Sequence, residues 1–173
     1  MRERPNAVTM RGNPLTLVGD EIKVGDKAPD FEVIDTSLSP VRLSSYAGKI
    51  VVIVSVPSLD TPVCDLETRR FNKEAAQLSE QVIVLAISMD LPFAQKRWCG
   101  AAEISHVTAL SDHREASFGL AYGLLIKELR LLARTVIVVD RRGIIRHLEL
   151  VKEIADEPNY DAVLKAVNQC LAG

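Results

Sequence analysis

Cys64 follows Thr61 by three residues, where the apolar run at 50–56 gives way to a charged, helix-favouring segment carrying Phe71, Ala75 and Leu78. Asp60 and Thr61 are both good N-cap types, and Pro62 suits a first helical position, where its missing N–H would have had no partner. That spacing places Cys64 in the first turn of a helix. Unpaired backbone N–H groups and the positive end of the helix dipole favour a thiolate there over a thiol. At about 100° per residue, Cys64 shares a face with Phe71, Ala75 and Leu78, so its sulfur points to the core. Two readings meet these facts: a pocketed, acidic nucleophile, and a small buried hydrophobe near a helix start. The residues by themselves leave both open.

The elements that must hold this cysteine can be read in order. Short apolar stretches at 8–10 and 15–18 flank Arg11-Gly12-Asn13-Pro14 and predict a β-hairpin. A loop at 25–30, a strand at 31–34, a turn at 35–40, a strand at 41–43 and a helical turn at 44–47 closed by Gly48 follow. The run at 50–56 reads as a buried strand and the segment reaching Gln81 as its helix; residues 82–88 are a second apolar, β-branched strand. Two strands joined this way form a parallel, right-handed βαβ unit. Asp90-Leu91-Pro92 repeats the cap-then-proline pattern and opens a helix ending at Cys99-Gly100. Its apolar stripe is poor, with Phe93 and Trp98 five apart, so it should be weakly held and able to unwind. A strand at 107–110 and a helical piece at 114–118 come next, and 122–132 suits either a loop with a strand or an irregular turn. A strand at 135–139, a turn at 140–143 and a returning strand at 144–151 precede an amphipathic helix through Tyr160, Val163, Leu164, Val167 and Leu171. A parallel βαβ unit followed by an antiparallel hairpin and a closing helix is the thioredoxin-like arrangement. The expectation is one α/β domain over residues 1–173, its mixed sheet flanked by helices, with an N-terminal β-hairpin extension.

Composition limits the function classes. A chain of 173 residues can bury an independent core, and 47% hydrophobic with 25% charged residues is ordinary for a globular protein. A formal charge of −2 gives no electrostatic case for nucleic acid or anionic membrane as a partner. Pairs such as Arg69-Arg70 and Arg141-Arg142 then read as solvated faces. The start of the chain lacks a signal-type apolar core, and no run is long enough to span a bilayer, so a cytoplasmic location is expected. Three cysteines, Cys64, Cys99 and Cys170, are too few and too dispersed for a disulfide scaffold, and no CxxC pair suggests zinc. In a reducing compartment a disulfide between two of them would be transient and catalytic.

Residues 57–64 read P-x-x-x-T-x-x-C, and here the chain resembles a peroxiredoxin. The longer string from Pro57 to Phe71 is similar to the thiol peroxidase subfamily, and so are Asn13-Pro14, the stretch 25–31, Cys99-Gly100 and the lead-in Glu157-Pro158-Asn159-Tyr160. The resemblance implies that Cys64 is the peroxidatic cysteine, attacking a hydroperoxide to give water or alcohol and a sulfenic acid. It implies that Cys99 resolves that acid as an intrachain disulfide, that Arg134 reaches Cys64, and that Pro57 shapes and shields the loop. Thr61 would bond the peroxide or the thiolate, its other role being the N-cap. An atypical two-cysteine enzyme of this kind needs no metal, haem, flavin or selenium, takes hydrogen peroxide and alkyl or lipid hydroperoxides, and is recycled by thioredoxin as a homodimer. Val56, Leu59 and Phe93 would line the approach, and Cys170, matching no motif, would be structural.

Two other classes are compatible with a buried cysteine at a helix start. His106 or His113 as base to Cys64 would make a cysteine hydrolase, though that explains neither Thr61 nor Cys99. A redox-inactive binding module would use Cys64 for packing alone. The three histidines, His147 included, show no metal-site spacing.

Overall fold

The apolar run at the centre of the chain becomes a strand buried along its whole length, and the other elements are placed by what covers its two faces. The computed structural model describes residues 1–173. β1 (Glu3–Met10) and β2 (Asn13–Val18) form the N-terminal hairpin. β3 (Glu32–Ile34) and β4 (Pro40–Arg42) form a second one, followed by a 3-10 turn at Leu43–Tyr46. Then come β5 (Ile50–Ser55), α1 (Pro62–Ala75), β6 (Val82–Ser88), α2 (Pro92–Ala102), β7 (Thr108–Ser111) and α3 (Ser117–Ala121). β8 (Leu125–Ile126), β9 (Leu131–Leu132), β10 (Thr135–Val139), β11 (Ile145–Leu150) and α4 (Tyr160–Ala172) complete the chain.

The main sheet has seven strands in the order β11-β10-β5-β6-β7-β3-β4. β5, β6 and β7 are mutually parallel, and both flanks are antiparallel, as expected of a mixed thioredoxin-like sheet. Alternation along β5 sends Ile50, Val52 and Val54 to one face and Val51 and Ile53 to the other. The first face packs with Phe71 of α1 and with Val163, Ala166 and Val167 of α4, and Trp98 of α2 rests against it. Cys64 belongs to that cluster.

The opposite face is covered by α3 and by a small four-stranded sheet, β1-β2-β8-β9. Here the structure goes beyond the expectation of a mere hairpin extension: the ambiguous segment at 122–132 folds into a tight hairpin, and β8 pairs with β2. Its apolar residues Leu125, Ile126 and Leu132 need a partner layer, and the N-terminal hairpin supplies Val8 and Leu17, both fully buried. The two parts meet at Gly19, where φ is +111° and a β-carbon would lie 2.3 Å from the Leu120 carbonyl oxygen. Only glycine fits there.

Two helix boundaries differ from the sequence reading. α1 ends at Ala75, not near Gln81, because residues 77–81, polar but for Leu78, turn back to β6. α2 runs on past Cys99-Gly100 to Ala102, with Glu103 in the left-handed conformation as its C-cap. It lacks an apolar stripe, but its inward residue is Gln95, wholly buried and bonded through Nε2 to Ser88 Oγ at 3.0 Å and Leu110 O at 2.8 Å. A polar anchor replaces the missing hydrophobic one.

Candidate active site

β5 delivers the chain to Val56 and the buried Pro57, and the loop 57–61 turns it into α1. Asp90, just beyond β6, fastens that loop: its carboxylate accepts from Ser58 Oγ at 2.7 Å, Leu59 N at 2.8 Å and Ser88 Oγ at 2.8 Å. Thr61 is the N-cap and Pro62 the first helical residue, as the spacing predicts. The Thr61 side chain, however, makes no capping bond; its hydroxyl donates to Ser58 O at 3.0 Å. Asp65 N already donates to Thr61 O at 2.9 Å, and Pro62 has no N–H. The orphan amides of the first turn are therefore those of Val63 and Cys64.

Cys64 is fully buried on the inward face, and its carbonyl accepts from Thr68 Oγ1 at 2.8 Å. Arg134, at the mouth of β10, is not solvated; it is only 2% exposed and spends all three arms inward. Nη2 donates to Cys64 Sγ at 3.1 Å, Nε donates to Ile154 O at 2.9 Å, and Nη1 pairs with Glu67. A permanent positive charge and an N–H donor thus sit on the sulfur.

Glu67 was not singled out by the sequence reading. It lies one turn after Cys64 and four residues before Phe71, so it is a carboxylate on an otherwise buried stripe, which was the available signal. It is completely buried, one oxygen meets Arg134 and the other has no partner. Burial pushes its carboxyl up to about 7, against the pull of the guanidinium. Burial also works against the charge on Arg134, but Glu67 and Cys64 outweigh it and its pKa is raised.

Cys99 sits in α2, half-buried, and burial raises its thiol above the ordinary value. All three cysteines are free thiols. The helix lies beside the Cys64 turn, since Trp98 Nε1 donates to Asp65 Oδ1 at 2.9 Å. Cys170 is elsewhere: its carbonyl meets Arg141 at 3.3 Å, at the end of β10 remote from Arg134 and roughly 17 Å away along a five-residue strand. Of the residues expected to line an approach, Val56 and Leu59 are core residues and only Phe93 is exposed. No histidine touches Cys64; a guanidinium occupies that place and cannot accept the thiol proton, which removes the hydrolase reading.

A family model described as Redoxin matches residues 23–164. The chain belongs to the redoxin family. It is 56% identical over 162 residues to the thiol peroxidase of Oceanobacillus iheyensis, covering 94% of this chain and 98% of that one. The thiol peroxidase of Bacillus subtilis is 54% identical over 159 residues, covering 92% and 95%. Among solved structures, a peroxiredoxin-like protein from Aquifex aeolicus superposes with a TM-score of 0.90 at 45% identity, covering 95% of this chain and 97% of that one. This redoxin is an oxidoreductase of the thiol peroxidase branch, with the peroxiredoxin form of the thioredoxin-like fold. No helix in it is long and apolar enough to cross a membrane.

Proposed function

We propose that Cys64 is the peroxidatic residue of a thioredoxin-recycled peroxidase acting on hydrogen peroxide and on alkyl or lipid hydroperoxides, in antioxidant defence. The observation that carries the reading is the 3.1 Å bond from Arg134 to a buried Cys64 sulfur in the first turn of α1. The sulfur attacks the terminal oxygen of ROOH, the O–O bond breaks, and Cys64 becomes a sulfenic acid while RO⁻ takes up a proton and leaves as ROH. Negative charge moves from sulfur to the leaving oxygen during this step. Arg134 and the free amides of Val63 and Cys64 are the donors that meet it. Thr61 has committed its proton to Ser58 O, so its oxygen is an acceptor for the hydroperoxide O–H and orients the substrate. Pro57 closes the loop behind the sulfur and keeps water from the sulfenic acid.

Cys99 then condenses with that acid: its sulfur bonds to Cys64 Sγ, the S–O bond breaks, and water leaves. A dithiol reductant, thioredoxin, returns both thiols, and the enzyme works in the cytoplasm as a homodimer. In a thioredoxin-coupled assay, Cys64→Ser should abolish hydroperoxide consumption. Arg134→Met should lower kcat/KM by about 10²–10³, as loss of a transition-state donor does. A Cys64→Ser variant that still turned over would overturn the assignment.

A further inference from the structure

α2 is held unevenly. Its N-terminal part is fixed by Gln95 and by the Asp90 hub. Just beyond its C-terminal end, Ser105 N and His106 N donate to Asn72 Oδ1 of α1 at 3.2 and 2.7 Å. Between these anchors, the stretch carrying Cys99 has one side-chain hydrogen bond to the rest of the protein, Trp98 Nε1 to Asp65 Oδ1. Asp65 is buttressed in turn, since Arg69 Nε donates to its Oδ2 at 3.1 Å and the Arg69 guanidinium lies 5.8 Å from the centre of the Trp98 ring. The helix is intrinsically poor here: Gly100 lies inside it, and the left-handed position that ends it is filled by Glu103 and not by glycine, although Ile104 N still closes the end on Cys99 O at 3.0 Å.

We propose that the Trp98–Asp65 hydrogen bond is a latch that sets how fast residues 96–104 unwind, and so how fast Cys99 reaches an oxidised Cys64. The inference rests on the role of Cys99 given under Proposed function. Trp98 and Asp65 act as positioning residues and touch no reacting atom. The acceptor sits on the residue next to Cys64, in the same helical turn. An oxygen added to a sulfur with no free surface must displace that turn, so oxidation bears directly on the latch. The latch also decides a competition: while Cys99 is held away, a second hydroperoxide can convert Cys64–SOH to Cys64–SO₂H, releasing ROH, and the enzyme is lost.

The test is rapid-quench mass spectrometry after one equivalent of cumene hydroperoxide, with hydrogen exchange on the reduced protein. Trp98→Phe keeps a ring but loses the donor; it should form the Cys64–Cys99 disulfide roughly tenfold faster, the effect of one hydrogen bond to a charged acceptor. Sulfinic acid should then need correspondingly more peroxide. Asp65→Ala should behave likewise, and Asp65→Asn, which keeps the acceptor oxygen, should return towards wild type. In a Cys99→Ser background, Trp98→Phe should leave the first oxidation of Cys64 unchanged. Amides of residues 99–104 should exchange faster in Trp98→Phe while that of Gln95 does not. Unchanged or slower disulfide formation in Trp98→Phe overturns the latch. A wild type that never forms the disulfide signals instead that the role of Cys99 is wrong, and unaltered exchange of 99–104 then rejects the latch independently.

Discussion

Glu67 and Arg134 show how far a single residue's meaning depends on what reaches it. Arg134 precedes an apolar strand, a place where arginine is usually solvated, and only the fold turns its guanidinium inward to Cys64 and Glu67. Glu67 has a raised pKa, so the folded state binds its proton more tightly than the unfolded chain does. Its favourable contribution is complete below the ordinary value of 4.5 and is lost as the pH rises through about 7. Between pH 5 and 8 the wild type should therefore lose about 1–3 kcal/mol more stability than Glu67→Gln, read from urea unfolding. Equal losses in the two proteins would place the Glu67 proton elsewhere. The cysteine and its cap, Thr61 and Pro62, were legible because helix-start chemistry is local. The Cys64–Arg134 contact was legible only through the resemblance to peroxiredoxins, being a pairing across 70 positions that no local pattern encodes.

At the scale of elements, strands buried on both faces were read almost to the residue: the sequence expectation at 82–88 and at 135–139 matches β6 and β10. α2 was misjudged in length because periodicity looks for apolar contacts, and its anchor is an amide. Gln95→Ala removes the donor to Leu110 O and Ser88 Oγ and leaves a cavity; it should cost about 2–3 kcal/mol in urea unfolding. A cost below about 0.5 kcal/mol, the level of an ordinary surface substitution, would mean that α2 is held some other way. The segment at 122–132 was ambiguous for a related reason. Two-residue strands carry too little pattern to be seen until their partner, β2, is beside them.

At the scale of the whole molecule, the cysteine site and the grooves lie at opposite ends of the main sheet. Cys64, Arg134 and α2 gather at the C-terminal ends of the parallel strands, where helix starts and free amides converge. Two grooves, of about 550 and 610 Å³, lie at the other end around Asp140, Arg141 and Arg142, away from the sulfur. The small sheet is integral to this arrangement, because its Val8 and Leu17 share a core with Ile53 and Ile137 of the main one. Gly19→Ala, which would press a methyl group on Leu120 O, should lower Tm by at least about 4 °C, and an unchanged Tm would show that the contact is dispensable.

The most direct test of the account is a non-reducing peptide map of the reduced protein after one equivalent of cumene hydroperoxide, run beside Cys64→Ser. A Cys64–Cys99 crosslink is expected in the wild type, none in the variant, and Cys170 free in both. A wild type with Cys64 oxidised but Cys99 free would contradict the resolving role, and a Cys64 that stayed reduced would contradict its role as the peroxidatic residue.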